Sequence, residues 1–414
     1  MIPHFKRNTP LITKDPMTAL EKRTVGSLAL LYSFRMLGLF MVLPLLALYA
    51  GDLPGATPSL IGLALGIYGL TQALLQIPFG WLSDQIGRKP VIIGGLVLFA
   101  LGSVVAAMAD TVYGIVLGRT LQGAGAIAST VMALVADLTR EEQRTKAMAV
   151  VGISIGLSFA VALVLGPLVA AAGGLAAVFW FTALLAVAGV AIVVLLVPTP
   201  PKIGTAHDEV GARAGLIGRS VLDPALARLN FGVFVLHFIL MASFLVVPGF
   251  LEQSAGIGRS QHWLVYLPAL LLSIAGMVPL MILAERWGRL HQVFLFAIAL
   301  VFAAVAMLGF TSSTTVFYLG LWVFFVGFNY LEATLPSLVS KTVFAGGKGT
   351  AMGVYSTCQF LGTFAGGAAG GWILQHMSMA TLISMCLILA GVWWLFVLPA
   401  GQPSALQQDQ LRDT

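Results

Sequence analysis

Charged residues are scarce in this chain of 414 residues, at 9% of the total, whereas hydrophobic residues make up 59%. Soluble domains carry about 25% charged residues, so the composition excludes an ordinary soluble protein. Only two cysteines are present, Cys358 and Cys386, and their spacing fits neither a disulfide framework nor a metal site. No phosphate-binding loop and no nucleophile beside a base is visible. We therefore predict a membrane protein that is not an enzyme and needs no metal or cofactor.

Long apolar runs follow one another along almost the whole chain. A helix needs about 20 largely apolar residues to cross a bilayer, and backbone groups in lipid must pair within their own segment, which favours helices. We predict an all-α membrane protein with about twelve transmembrane helices, called spans 1 to 12 below. The spans are predicted at 25–50, 59–83, 90–109, 111–136, 145–172, 174–197, 227–251, 261–284, 290–311, 315–340, 347–375 and 378–400.

Basic residues predict how these spans are oriented. Apart from Arg259, the lysines and arginines outside the spans all fall in one set of loops, together with both termini. Because cytoplasmic loops are enriched in positive charge, we predict cytoplasmic termini. The net charge of +6 then reflects topology, and no nucleic-acid partner is expected. Residues 1–24 lack an apolar core followed by a cleavage site, so we expect no removable signal peptide there.

A long polar stretch divides the chain into two halves of about six spans each. The predicted units are an N-terminal segment 1–24, a bundle 25–197, a cytoplasmic linker 198–226, a second bundle 227–400 and a tail 401–414.

The two halves resemble each other in sequence. IPFGWLSDQIGRKPV at 77–91 aligns with VPLMILAERWGRLHQ at 278–292, and KAMAV at 146–150 aligns with TAMGV at 350–354. Coincidence between helices rich in small residues is the alternative explanation. A parallel repeat of six helices is expected of one transporter architecture, whose substrate lies between the halves near the middle of the bilayer.

Several motifs resemble those of one transporter family. GWLSDQIGRKP at 80–90 resembles the loop between spans 2 and 3 of the major facilitator superfamily, although Gln85 stands where a basic residue is common. RTLQGAGA at 119–126 resembles the family's span-4 motif. ALVLGPLVAAAGG at 162–174 resembles its antiporter motif in span 5, with alanines at several glycine positions.

Two further stretches narrow the resemblance. FRMLGLFMVLP at 34–44 and FNYLEATLPSLVSK at 328–341 are similar to spans 1 and 10 of a bacterial inner-membrane subgroup. From about residue 25 to 400, the chain is similar to the twelve-helix drug:proton antiporters of this superfamily. The resemblance implies two pseudo-symmetric six-helix bundles, alternating access, location in the bacterial inner membrane and a monomeric state.

The loop motif has a physical interpretation of its own. Gly87 permits a tight turn, and Arg88 is predicted to be shared between Asp84 and Asp137 at the end of span 4. Asp84 is also expected to accept hydrogen bonds from helix-end N–H groups. The predicted latch consists of Gly80, Asp84, Gly87, Arg88, Lys89 and Asp137. Such a latch would hold neighbouring helices in one state of the transport cycle; the alternative is that Arg88 and Lys89 only set the topology.

The second half repeats part of this motif. Glu285 and Arg289 correspond to Asp84 and Arg88, but Lys341 replaces the acid at the end of the following helix. We therefore predict a second latch in which Lys341 pairs with Glu285. The two halves would then be latched with unequal strength.

Ionisable residues within the spans are costly in lipid and indicate function by default. Four are present, namely Arg35, Arg119, His237 and Glu332, on spans 1, 4, 7 and 10. In the family that the chain resembles, these spans line the central cavity. The helical rise of 1.5 Å per residue places His237 about 15 Å and Glu332 about 12 Å from the cytoplasmic side. We predict that they meet and carry the coupled proton; the alternative is a polar contact that fastens span 7 to span 10.

The two arginines lack an obvious acidic partner. Arg119, with Gln122 one turn on, is either an anchor bonded to the backbone of span 1 or a group that binds or tunes negative charge. Positive charges in the centre favour anionic or amphiphilic substrates. Neutral lipophilic molecules are not excluded as substrates.

Further polar and aromatic residues are weaker candidates for lining the predicted cavity. Tyr68, Gln72 and Gln76 share one helical face. Exposing this polar face to lipid would be costly. The remaining cavity candidates are Phe234, Asn329, Tyr330 and Gln359. Aromatic residues of this kind more often simply pack or face lipid.

Gly166 and Pro167 form the core of the antiporter motif in span 5. The resemblance implies that this motif is a seal against leakage; a packing kink is the alternative.

These features predict a proton-coupled secondary transporter that exports a lipophilic, amphiphilic or anionic small molecule. A facilitator or proton symporter of the same fold is the first alternative. A membrane sensor or lipid-handling protein is the second, although buried His, Glu and Arg residues argue against it.

Overall fold

The computed structural model describes residues 16–198, 214–311, 313–343 and 347–401, and these form helices joined by turns. The thirteen α-helices of the described part are α1 (Ala19–Tyr49), α2 (Pro58–Ile86), α3 (Arg88–Ala107), α4 (Val112–Ala124), α5 (Ala128–Asp137), α6 (Glu141–Leu195), α7 (Ala214–Leu222), α8 (Pro224–Gln253), α9 (Trp263–Arg286), α10 (Leu290–Phe310), α11 (Thr314–Thr342), α12 (Lys348–His376) and α13 (Met379–Val397). Most of the predicted linker and the tail lie outside the described residues.

These helices correspond closely to the twelve predicted spans. In the described part of the chain, nine helices are long and apolar enough to cross a membrane. One of them, α6, consists of two helices that meet at Gly173 and Gly174, where φ is −169° and 65°. The glycine-rich α12 and the α4–α5 pair supply the remaining crossings. Helix α1 begins at Ala19, before the predicted start of span 1 at residue 25.

The structure corrects one prediction, because span 4 is not a continuous helix. It breaks between α4 and α5 at Gly125, where ψ is 52°. A side chain at Gly125 would bring its Cβ within 2.3 Å of the carbonyl oxygen of Gly95 in α3. The Gly125 carbonyl accepts from the N–H of Ile127 at 2.9 Å and from Nη2 of Arg35 at 3.1 Å. Close approach of α3 and a side-chain donor from α1 thus replace regular helix bonding at the break.

The two ends of the bundle are distinguished by their contacts. At one end, here called the terminal end, Lys89 Nζ donates to the carbonyl of Val197 at 2.9 Å. At the opposite, distal end, the backbone N–H of Val112 donates to the carbonyl of Pro54. The loop motif therefore lies at the same end as the start of α1 and the end of α6.

A seam of glycines joins the two halves. On α2 and α12, a Cβ at Gly62 would lie 2.2 Å from the carbonyl oxygen of Gly367, and one at Gly371 would lie 2.3 Å from that of Pro58. A Cβ at Gly66 would lie 2.6 Å from another α12 carbonyl. Small residues let membrane helices approach backbone to backbone. The glycine seam, defined as Gly62, Gly66, Gly367 and Gly371, thus holds the first turns of α2 against the last turns of α12.

Polar contacts close the same region. Nη1 of Arg259, from the loop before α9, lies 2.7 Å from Oδ2 of Asp52 in the first half, and its Nε lies 2.9 Å from Glu252. Gln375 accepts from the N–H of Ser59 at 3.1 Å. Among the described residues, both hydrogen bonds that cross between the halves lie at this distal end. The halves are therefore closed against each other there.

Apolar side chains fill the remaining space in two regions. One core includes residues from both halves, where the rings of Phe159 in α6 and Phe325 in α11 lie 6.3 Å apart. A second core lies within the first half and includes the buried residues Leu28, Phe99 and Leu134. The polar candidates described next sit beside these cores.

Candidate functional site

Three polar side chains from three different helices meet in the second half. Nε2 of Gln359 on α12 lies 2.8 Å from Nε2 of His237 on α8 and 3.2 Å from Oε1 of Glu332 on α11. The imidazole Nε2 and the carboxylate Oε2 are 3.7 Å apart. The other imidazole nitrogen, Nδ1, lies 3.1 Å from the carbonyl of Val233 on the same helix. We call this group the His–Gln–Glu cluster.

The surroundings of the cluster are largely apolar. The ring of Phe328 lies 6.0 Å from the His237 ring, and the buried Tyr355 lies near Glu332. Oε2 of Glu332 and the hydroxyl of Tyr355 have no hydrogen-bond partner among the described residues. The Glu332 side chain is nevertheless 37% exposed, while that of His237 is only 10% exposed. The exposed part of the cluster is therefore on the carboxylate side, although Oε2 itself is buried.

The predicted proximity of His237 and Glu332 is present, with one difference. The two side chains lie next to each other, but Gln359 bridges them instead of a direct hydrogen bond. Gln359 was expected only as a lining residue of the cavity. Its bridging position depends on the rotation of α12 relative to α8 and α11, which sequence spacing does not reveal.

A second polar cluster lies in the first half and is built around Arg35. Its Nη2 donates to the hydroxyl of Tyr68 at 3.0 Å, to Oε1 of Gln72 at 2.9 Å and to the carbonyl of Gly125 at 3.1 Å. The side chain is 1% exposed, and its Nε and Nη1 lack partners among the described residues. Its guanidinium also lies 5.8 Å from the ring of Phe99. Arg35 thus holds positive charge among neutral acceptors.

Arg119 is anchored to the backbone, but to a different helix from the one predicted. Its Nε donates to the carbonyl of Ala64 on α2 at 3.2 Å, and Nη1 donates to Oε1 of Gln122 at 3.0 Å. The guanidinium lies 4.9 Å from the ring of Tyr68. The expected bond to span 1 is wrong because α4 packs closely on α2, where a Cβ at Gly123 would lie 2.4 Å from the carbonyl of Tyr68.

The remaining cavity candidates are distributed unevenly. Gln76 is buried beside Gln72 on the predicted stripe, with its side-chain oxygen unpartnered in the described part. Asn329 faces α9 instead of the His–Gln–Glu cluster, since its Nδ2 donates to Oγ of Ser273 at 2.8 Å. Tyr330 is buried and makes no described bond to that cluster.

Two other candidates mainly serve helix packing. Phe234 stacks loosely on Phe238, with ring centroids 6.4 Å apart, and its carbonyl approaches Gly362 of α12. Gly166, next to Pro167 inside α6, faces the backbone of α1, where a Cβ would lie 3.2 Å from the carbonyl of Met41. The proposed seal against leakage at this motif stays a prediction.

The loop motif adopts the predicted arrangement in the first half. Nε of Arg88 lies 3.1 Å from Oδ2 of Asp137, and its Nη1 pairs with Asp84 and donates to Oγ of Ser83 at 2.6 Å. Gly87 has a φ of 97°, which only glycine adopts without strain. The expected bonds from helix-end N–H groups to Asp84 are absent among the described contacts, because that carboxylate faces Arg88 and solvent. Gly80, one turn before Asp84, accepts from the Ser83 hydroxyl.

The corresponding residues of the second half do not meet. Glu285, Arg289 and Lys341 are all exposed and form no ion pair within the described part of the chain. Arg289 instead lies near the ring of Trp287, 6.0 Å from its centroid. The reason is that Lys341 stands where the first half has Asp137, so no carboxylate on α11 attracts Arg289.

One ion pair at the terminal end escaped prediction. Both carboxylate oxygens of Glu21 are bound by Arg140, at 2.9 Å from Nε and 3.0 Å from Nη2. Glu21 also accepts from the N–H of Thr18 in a capping box at the start of α1. The spacing of Thr18 and Glu21 is a sequence signature of such a box, so the helix start was predictable, whereas its partner was not.

Comparison with known proteins identifies the family. The Major Facilitator Superfamily model matches residues 28–367 and 229–413, so the chain belongs to this superfamily and is a transporter, not an enzyme. It is 49% identical to the inner membrane transport protein YajR of Escherichia coli K12, over 91% of this chain and 83% of YajR. It is also 28% identical to the multidrug resistance protein MdtH of Aeromonas hydrophila, over 81% of this chain and 83% of MdtH.

Solved structures agree on the fold. The nucleoside transporter NupG has a TM-score of 0.73 at 13% identity, covering 92% of this chain and all of that structure. A bacterial homologue of the human lysosomal transporter Spinster also has a TM-score of 0.73, at 14% identity, covering 94% of this chain and all of that structure. These structures confirm the predicted fold, while the family match and the similarity to YajR confirm the predicted family and multi-pass location in the inner membrane. The orientation of the termini stays a prediction.

Proposed function

We propose that this transporter is a proton-coupled antiporter that works as a monomer and exports a small molecule. The observation that carries the proposal is the His–Gln–Glu cluster. It places a partly exposed carboxylate beside an imidazole, within α8 and α11, and one buried oxygen of this carboxylate has no hydrogen-bond partner among the described residues. Ionisable groups held inside a membrane protein typically mark proton or substrate pathways.

The closed distal end supports alternating access. If the termini are cytoplasmic, the glycine seam and the Arg259 bridge close the centre to the outside. Opening the distal end requires α2 and α12 to separate and Asp52 to leave Arg259. A rigid-body motion of one half against the other accomplishes both changes together.

The first half favours a substrate with a negative or strongly polar group. Arg35 has two guanidinium nitrogens without described partners, and it is held by neutral acceptors that leave its charge uncompensated. The similarity to MdtH, whose name refers to multidrug resistance, supports an amphiphilic, drug-like molecule. The lipophilic surroundings of both clusters suit the apolar part of such a compound.

The test combines ligand screening with transport in liposomes. Compounds that raise the Tm of the purified protein are loaded into proteoliposomes that contain a pH-sensitive dye. An antiporter moves protons opposite to the substrate, a symporter moves them with it, and a facilitator moves substrate without protons. A sensor or lipid-handling protein moves no substrate across the vesicle membrane.

Glu332→Gln supplies the decisive variant. We expect substrate-driven proton movement to be lost in this variant, because the amide cannot take up a proton at neutral pH. Glu142→Gln, an exposed glutamate in the first turn of α6, is the matched control and should retain wild-type rates. Proton-coupled transport at the wild-type rate in Glu332→Gln would show that the His–Gln–Glu cluster is not the proton site, and substrate transport without opposite proton movement in the wild type would contradict the antiporter.

A further inference from the structure

We infer that Gln359 is a positioning residue that keeps His237 neutral and assigns the coupled proton to Glu332. This inference rests on the proposed proton coupling and names the group that carries the proton. It follows from the directions of the hydrogen bonds in the His–Gln–Glu cluster. Each bond fixes where a hydrogen atom sits.

The tautomer of His237 is set by its own helix. Nδ1 lies 3.1 Å from the carbonyl oxygen of Val233, and a carbonyl oxygen only accepts hydrogen bonds. Nδ1 therefore carries a hydrogen. In a neutral imidazole the second nitrogen, Nε2, is then an acceptor.

The amide of Gln359 matches this neutral imidazole. Its Nε2 lies 2.8 Å from Nε2 of His237 and 3.2 Å from Oε1 of Glu332. An amide nitrogen has two hydrogens, so one is donated to the imidazole and the other to the carboxylate. Turning the amide round would set its oxygen against two acceptors, which disfavours that orientation while His237 is neutral and Glu332 accepts.

A proton added to the cluster has two unequal destinations. On Nε2 of His237 it would point an N–H at the amide N–H only 2.8 Å away, and the amide would have to turn and abandon the carboxylate. On Oε2 of Glu332 it breaks none of these hydrogen bonds, since that oxygen has no hydrogen-bond partner among the described residues and lies 3.7 Å from Nε2 of His237. Gln359 therefore directs the proton to Oε2 of Glu332.

Neighbouring groups do not offset this preference. Tyr355 of α12 is the titratable neighbour of Glu332, and Phe328 of α11 covers the imidazole with an apolar ring. From α1 and α2, which pack on α8, no described charged side chain is within hydrogen-bond distance of the cluster. Arg35 of α1 is bound instead to Tyr68 and Gln72.

The experiment measures the protonation state of the His237 imidazole directly, by ¹⁵N NMR spectroscopy. Protein labelled with ¹⁵N-histidine is reconstituted in nanodiscs, and the signal of His237 is assigned by its loss in His237→Gln. With Glu332 in its carboxylate form, we expect the neutral ring with hydrogen on Nδ1 and an accepting Nε2. A charged imidazole under the same conditions, or a neutral ring with hydrogen on Nε2, would overturn the inference.

Gln359→Leu tests the role of the amide. Without it, Nε2 of His237 is free to take a proton, and the resulting charge near Glu332 favours the carboxylate form. We expect the imidazole to become charged at acidic pH and the pH midpoint of transport to fall by about one unit or more. Gln261→Leu, an exposed distal change, is the control that should alter neither. An unchanged imidazole signal and pH profile in Gln359→Leu would remove Gln359 from this role.

The two proposals fail in different ways. If the wild type shows no proton movement opposite to the substrate while His237 stays neutral, the proposed function fails and the hydrogen-bond assignment stands. If His237 is charged while Glu332→Gln abolishes coupling, the function stands and the assignment to Glu332 alone fails. The wild-type spectrum decides the second point even if Gln359→Leu does not fold.

Discussion

The two halves of this transporter use charge differently, although they repeat the same architecture. In the centre of the first half, Arg35 and Arg119 are buried and held by neutral oxygens. In the centre of the second half, a carboxylate, an amide and an imidazole meet, and the carboxylate side chain is partly exposed. The first arrangement keeps a fixed charge, whereas the second contains the carboxylate and the imidazole of the proposed proton site.

The two halves also differ in the ion pairs of their charged residues at the terminal end. In the first half, Arg88 joins Asp84 to Asp137, and Arg140 holds Glu21. In the second half, the equivalent residues are exposed and form no described ion pair. We infer from the comparison that the first half holds fixed charge and that the second half carries the proposed proton chemistry, and each prediction below tests part of this division.

The largest effect is expected where the halves touch. Gly62→Ala introduces a Cβ that would lie 2.2 Å from the Gly367 carbonyl oxygen, so the two backbones must separate. Overpacking of this kind costs about 1–3 kcal/mol, and we expect the closed distal state to lose population by about tenfold or more. Distances between spin labels at the exposed positions Asp110 and Met377 measure this shift.

Gly152→Ala is the control, because nothing lies within 4 Å of a Cβ at that position. It should leave the distance distribution unchanged. A closed distal end that persists in Gly62→Ala would show that the halves do not depend on backbone contact along the glycine seam.

The next effect concerns the buried Arg35 and its hydrogen bonds in the first half. Arg35→Lys keeps the charge but replaces a planar donor group with a single ammonium, which cannot serve Tyr68, Gln72 and the Gly125 carbonyl in the same geometry. An unsatisfied buried polar group costs about 1–3 kcal/mol, so Tm should fall clearly. The pH dependence of any remaining transport should stay as in the wild type, because the proton site lies in the other half.

Glu332→Gln should show the opposite pattern, with nearly unchanged Tm and lost pH dependence. A shifted pH profile in Arg35→Lys would mean that the two clusters act as one, and the division between the halves would have to be given up.

The smallest effect is expected at the terminal end. Asp137→Asn removes one of the carboxylates that hold Arg88, and we expect a loss of about 1–2 kcal/mol, because this pair is largely shielded from solvent. Glu285→Gln, at an exposed and unpaired position, should change stability by less than about 0.5 kcal/mol. Thermal unfolding of both variants in the same detergent makes the comparison, and equal losses would argue against an asymmetric latch.

Much of this organisation was predictable from the sequence. Hydropathy located the spans because lipid imposes the same length on each crossing helix. The contact of Arg88 with Asp84 and Asp137 followed from helix ends that return to the same side. The proximity of His237 and Glu332 followed from the constant rise of a helix.

Other features depend on tertiary contacts that spacing does not encode. Hydropathy is continuous across QGAGA, so the break at Gly125 emerges only from the approach of Gly95 and Arg35. The bridging position of Gln359 requires the rotation of α12 against two other helices. The lone distal cation Arg259 was visible, but its bond to Asp52 depends on how the halves meet.

The central claim is that Glu332 takes up and releases the transported proton, and infrared difference spectroscopy tests it most directly. The spectrum of the reconstituted protein is recorded before and after a pH jump across the range in which transport varies. We predict a band from a protonated carboxyl group that is present in the wild type and Asp84→Asn and absent in Glu332→Gln. The same band at full intensity in Glu332→Gln would contradict the account.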